Sequence, residues 1–240
     1  MDGRIEHGFR ARFRALALWT GGENADVEAD RLVSEAMAAA ASEETTAAQA
    51  LAGVWLRELG GAKRAWIGPA KTAQGAPPWA RFDEANPPRF LCDPSLGGLA
   101  RWLRAAGYEA RLAPGVPGHR LPDEALRRGL VLLTSEAEVL DRRIVADGSL
   151  VVAWVPSALT MAEQLHLAAV ELGLTLRESR CMACGGGLVP TAKEAVRSRI
   201  PPRTALWQDD YFVCAECDRL FWRGTHWERI AATLRRTVAA

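Results

Sequence analysis

No apolar run in the 240 residues approaches the ~20 needed to cross a bilayer, so no membrane-spanning helix is expected. The first stretch, MDGRIEHGFRARFR, lacks the apolar core of a secretory signal, which argues for a cytoplasmic place and against disulfides. Histidine is scarce, at four residues, and no Ser/His/Asp arrangement stands out. No phosphate-cradling glycine loop and no Gly-x-Gly-x-x-Gly stands between a strand pattern and a helix pattern, which weakens any nucleotide-cofactor reading. Cysteine is scarce as well, at five residues, and this scarcity is informative.

Four of the five cysteines form two Cys-x-x-Cys pairs, Cys181/Cys184 and Cys214/Cys217, with 29 residues between the pairs. Two intervening residues let both sulfurs turn toward one tetrahedral ion, and the glycines after Cys184 suit the sharp backbone turn of a metal knuckle. Two disulfides would need an oxidising compartment, and a thioredoxin-like redox pair would leave the second pair without a role. The four thiols are therefore expected to hold a structural zinc. Cys92, inside RFLCDP, is expected to be a buried small hydrophobe.

The net charge of +1 conceals an uneven distribution. Residues 20–60 carry eight acids against two arginines, and residues 96–130 carry six arginines against three acids. Another basic run, PTAKEAVRSRIPPR, lies between the knuckles. Such runs are either solvated surface or phosphate contacts; on the second reading Arg101, Arg104, Arg197 and Arg199 are the phosphate-contact candidates.

The alternation in FRARFRALALW, residues 9–19, predicts a half-buried strand. Two helices are expected after it, one on Ala29, Leu32, Val33, Ala36 and Met37, the other on Leu51, Val54, Trp55 and Leu59 until Gly60-Gly61 stops it. RAWIGPA adds a possible short strand. Residues 1–72 thus read as a small α+β region of unknown role, and the proline-rich stretch 73–88 as a linker. From 89 to 176 the rhythm is strand, helix, strand, helix: RFLCD, PSLGGLARWLRAAGY, EARLA, PDEALRRG, LVLLT, SEAEVLDRRIVADG, SLVVAWV and MAEQLHLAAVELG. That alternation predicts an α/β unit with a parallel sheet between helices. Capping boxes are expected at Ser135/Glu138, Thr160/Glu163 and Thr225/Glu228, and residues 177–240 form the knuckle module and a last helix.

In an open parallel sheet the usable crevice lies beyond the C-terminal strand ends. Asp93 follows the first strand, Glu136 follows LVLLT, and Asp123 and Glu124 open the helix between them. Converging carboxylates repel one another and suit a hard divalent cation, Mg²⁺ or Mn²⁺. Asp93 before Pro94 also has the character of an N-cap, acids in a first helical turn are favoured by the helix dipole, and Glu138 is assigned to capping.

RFLCDPSLGGLARWLRAAGYEARL, LPDEAL, LVLLTSEAEVLDRR, the paired knuckles and FWRGTHW together resemble the Mut-seven C-terminal RNase domain family over about residues 88–236. The resemblance implies a PIN-like α/β/α sandwich with an appended zinc ribbon and metal-dependent cleavage of RNA, tRNA or another structured RNA included. It puts Asp93 on the first acidic position and Asp123 on the second. At the third, where the family reads Thr-Arg-Asp, this chain reads Thr134-Ser135-Glu136, one methylene longer. A displacement of ~1 Å can change a rate ~100-fold. Two functional expectations follow: a ribonuclease using Asp93, Asp123 and Glu136, or a catalytically impaired RNA- or protein-binding module.

Overall fold

The computed structural model describes residues 3–66 and 76–238. Helices α1 (Gly3–Trp19), α2 (Ala25–Ser42) and α3 (Ala47–Ala65) come first and pack on one another. The strand expected over residues 9–19 is thus the second half of a helix. Phe9, Phe13 and Leu16 recur at helical spacing and are buried, and Arg12 shares their inward face, so the arginine alternation that suggests a strand is not a polar face. α3 also runs through Gly60-Gly61 to Ala65, because Leu59 and Ala62 keep its buried face anchored on both sides of the glycines. The described part of 1–72 is therefore helical. The strand expected in RAWIGPA falls largely on residues 67–75, which lie outside the described residues.

β1 (Phe90–Cys92), α4 (Gly97–Ala105), β2 (Ala110–Leu112), α5 (Leu121–Arg128) and β3 (Val131–Thr134) then alternate. A 3-10 turn (Ala137–Asp141), α6 (Arg143–Ala146), β4 (Val152–Trp154) and α7 (Met161–Leu172) complete the unit. All pairings are parallel and the sheet order is β2-β1-β3-β4. β1, β3 and β4 are buried throughout and apolar but for Thr134 at the end of β3, as strands covered on both faces must be. Right-handed crossovers place α4 on one face and α5 with the 137–146 segment on the other. α7 packs beside α4. The Thr160/Glu163 capping box forms as expected, and Gly173 closes α7 in the left-handed conformation.

The N-terminal helices share one hydrophobic core with this unit. α1 covers the exposed edge of the sheet at β4: the Phe9 ring meets Trp154 edge-on at 5.2 Å, and a Cβ on Gly8 would lie 2.4 Å from the Trp154 ring. Covering an edge strand removes a template for pairing with another chain. Arg12 donates to Glu171 of α7 and to the Trp154 carbonyl, with its guanidinium 5.1 Å from the Trp154 ring and 5.4 Å from Trp55. Burial pushes the Arg12 guanidinium down and the Glu171 carboxyl up, so the desolvation of both groups offsets part of their attraction. Five of the eight acids in 20–60, Asp26, Glu28, Asp30, Glu35 and Glu58, are paired with Arg10, Arg14, Arg31 and Arg57. The acidity read in the sequence is largely neutralised within the helices themselves.

The last module is an antiparallel sheet, order β5-β6-β7, of β5 (Leu188–Thr191), β6 (Tyr211–Cys214) and β7 (Leu220–Trp222), with α8 (Lys193–Val196) between β5 and β6. α9 (Thr225–Val238) follows and packs on α7. It begins at Thr225, and the Glu228 N–H bonds to the Gly224 carbonyl, so Thr225 is the first helical residue and not the expected cap.

Candidate functional site

The order β2-β1-β3-β4 puts a topological switch point between β1 and β3, where the chain leaves in opposite directions and the crevice opens at the carboxyl ends. Asp93 is the first residue after β1, and its N–H bonds to the Leu133 carbonyl of β3 at 2.8 Å. Its carboxylate is held from two sides: the Ser95 N–H donates to Oδ1 at 2.9 Å, and the Thr134 hydroxyl to Oδ2 at 3.3 Å. The N-cap character of Asp93 is therefore real, and the same bonds aim it along the crevice.

Asp93, Asp123 and Glu136 line one cleft of about 920 Å³, with His119, Glu138 and Arg142 on the same wall. They line it without converging. Among the described residues, no three carboxylate, imidazole or thiol ligand atoms outside the cysteine cluster lie within 4.8 Å of one another. Asp123, at the start of α5, instead accepts from Arg142 Nη2 at 3.3 Å, while Arg142 Nη1 donates to the His119 carbonyl at 3.0 Å. Glu124 turns away to Arg127 and Arg128.

Glu138, Arg142 and His119 are cleft residues that the sequence reading missed. The Ser135/Glu138 box does not form, since the 3-10 turn begins after Glu136 with no side-chain cap. The Glu136 N–H donates to the Thr134 hydroxyl at 3.1 Å, and Glu138, free of any capping role, is exposed in the cleft. His119 and Arg142 had no motif to reveal them; the fold of 116–123 against 136–142 brings them in.

The four thiols do converge. Cys181 and Cys217 sulfurs are 3.7 Å apart, Cys184 and Cys214 sulfurs 3.4 Å, and all four lie within 4.8 Å. A tetrahedral ion bound at about 2.3 Å to each sulfur would set them about 3.8 Å apart, whereas a disulfide needs about 2.0 Å. The donor set therefore fits zinc and not a disulfide pair. Thiols at this spacing resist joint ionisation: Cys184 is pushed up to about 12 by burial and neighbouring thiols against the Gly186 N–H. Cys214 falls to about 7 despite burial, because the N–H groups of Cys217 and Glu216 favour its thiolate. A cation resolves that conflict. Gly185, at φ +90°, makes the knuckle turn, and a Cβ on Gly186 would sit 2.8 Å from the Cys214 sulfur. Cys92 is buried and its thiol is pushed up to about 12 by burial, as an inert core residue should be.

Of the four arginines expected at RNA, two are otherwise engaged. Arg104 is 4% exposed, and its guanidinium donates to the carbonyls of Ala110 at 2.7 Å, Met182 at 3.1 Å and Ala183 at 2.8 Å. Met182 and Ala183 are the two residues between Cys181 and Cys184, so Arg104 clamps the first knuckle to α4 and does not face a phosphate. Arg199 donates to Asp218. Arg101 and Arg197 are exposed, with no side-chain partner among the described residues.

Among curated proteins and solved structures nothing matches this chain. The family model described as the Mut7-C RNAse domain does match, over residues 88–234, a span that takes in the acidic cleft, the Arg104 clamp and all four thiols. With well over half its length inside that match, the chain belongs to the Mut7-C RNAse domain family.

Proposed function

We propose that the protein is a ribonuclease that cleaves RNA phosphodiester bonds in the acidic cleft. One observation carries this reading: Asp93, Asp123 and Glu136, from three separate elements, line a single cleft at the switch point of the parallel sheet. The sheet order with helices on both faces supports the PIN-like architecture. Carboxylate oxygens are the donor type that hard cations take, so these three residues would hold Mg²⁺ or Mn²⁺. Bound there, the ion supplies water activation and charge neutralisation on the phosphodiester.

The chain's own part is positioning. Ser95 and Thr134 keep Asp93 aimed along the crevice. Asp123 and Arg142 neutralise each other in the resting cleft, and parting them frees a carboxylate for the cation and a guanidinium for the phosphate. The partner is RNA, tRNA or another structured RNA included, met in the cytoplasm.

The unconverged carboxylates and the longer Glu136 favour a second reading, an impaired module that binds RNA without cutting it. One experiment separates the two. Mn²⁺-stimulated cleavage that vanishes in a folded, zinc-loaded Asp93→Asn variant supports the nuclease; no cleavage of single-stranded, structured or tRNA substrates at any Mn²⁺ concentration supports the module.

A further inference from the structure

A second groove, of about 1050 Å³, runs between α4, β7 and the start of α9. The cleavage chemistry does not use it. Its lining includes Arg101, Arg180, Arg219 and His226 and no carboxylate. The side chains of Arg101 and Arg219 have no hydrogen bond or ion pair among the described residues, and Arg180 commits only its Nε, to the Gly185 carbonyl at 2.6 Å. This contrasts with α1–α3, where Arg10, Arg14, Arg31 and Arg57 all meet carboxylates. Positive charge is left unneutralised at this groove.

The same groove carries aromatic surface. Trp207 is 57% exposed, and Phe221, Trp222 and Trp227 line the groove partly buried. Gly224 keeps two of the indoles close: a Cβ there would lie 3.3 Å from both the Trp207 and the Trp222 rings. The core does not require Trp207, which lies outside both buried clusters.

Unpaired guanidinium groups beside open aromatic faces match one ligand chemistry, a strand whose phosphates need cations and whose bases are free to stack. A duplex hides its base faces. Location supports the match. Asp93 and Pro94 line the acidic cleft while Gly97 and Gly98 line the groove, and four peptide steps from Asp93 to Gly97 span at most ~14 Å. We propose that this groove holds an unpaired RNA segment, with a base stacked on Trp207 and phosphates at Arg101 and Arg219, and delivers the strand to Asp93. The choice of RNA rests on the ribonuclease reading; the stacking and charge do not.

The test is equilibrium binding of a short labelled single-stranded RNA to the full, zinc-loaded chain carrying Asp93→Asn, so that cleavage cannot intervene. Trp207→Ala should weaken binding about tenfold or more, in line with one lost base stack, and Trp207→Phe should recover most of it. Arg219→Gln should weaken binding and flatten its salt dependence by about one phosphate contact. A duplex of the same sequence should bind more weakly and ignore Trp207. Unchanged single-strand binding in Trp207→Ala, with zinc content and circular dichroism intact, overturns the groove even if the wild type cleaves RNA. Trp207-dependent binding, together with a wild type that never cleaves RNA, sustains the groove and defeats the ribonuclease reading instead.

Discussion

The thiols and the carboxylates of this chain are both ligand sets by residue type, yet the fold prepares only one of them. Each thiol sits in or beside a tight turn, with sulfurs 3.4 and 3.7 Å apart across the cluster. Gly185 and Gly186 let the backbone close around the cluster, and Arg104 fastens the first knuckle to α4. The carboxylates hang from a strand end, a helix start and a 3-10 turn, and Asp123 has its side chain 63% exposed and paired with Arg142. Backbone geometry fixes the first set and leaves the second to its side chains. An ion at the thiols would meet ligands already gathered, whereas an ion in the cleft would have to draw Asp123 away from Arg142.

The largest effect expected is loss of the thiol site. Structural zinc contributes apparent free energies on the order of 10–16 kcal/mol in zinc-finger peptides, so Cys214→Ser or strong chelation should melt residues 178–225 while the parallel sheet persists. Native mass spectrometry should find one zinc per untreated chain, and hydrogen exchange should show protection lost from β5–β7 first. Arg104→Ala comes next. It removes three bonds from a buried charged donor to backbone carbonyls, each worth about 1.5–3 kcal/mol, so thermal unfolding should show about 3 kcal/mol or more of destabilisation and weaker zinc retention. A variant that keeps both would break the contrast, because the knuckle would not then depend on the helix.

Smaller effects sharpen the cleft side. Glu136→Asp restores the shorter reach and should raise Mn²⁺-dependent cleavage about tenfold to 100-fold, measured at saturating RNA. Thr134→Val removes the hydroxyl that bonds Asp93 and the Glu136 N–H, and should lower stability by about 1 kcal/mol with little change in zinc content.

Much of residues 89–240 was legible because its signals are local. Apolar runs such as LVLLT, the Thr160/Glu163 box and the paired knuckles each specify structure over a few residues, and all are realised. The N-terminal helices were less legible because one residue carries two messages. Arg12 reads as polar in the sequence but lies inside, against Trp55, Trp154 and Glu171, and nothing nearby announces partners 142 and 159 positions away. The Ser135/Glu138 box failed because the turn starts one residue later than the pattern suggests: Glu136 precedes the 3-10 turn without a side-chain cap, and its N–H donates to the Thr134 hydroxyl. In the cleft, Asp93 and Glu136 could be read from strand ends, while His119 and Arg142 arrive only through packing. Arg104 looked like its exposed neighbour Arg101 on the same helix; only the knuckle folding onto α4 separates a clamp from a surface charge.

The measurement that tests the account most directly is cleavage of RNA by purified zinc-loaded protein as Mn²⁺ is titrated, run beside Asp93→Asn at equal zinc content. The account predicts cleavage that rises with Mn²⁺ in the wild type, survives nuclease-free repurification and disappears in the variant. Equal cleavage by both proteins, or none by either across single-stranded, structured and tRNA substrates, would contradict it.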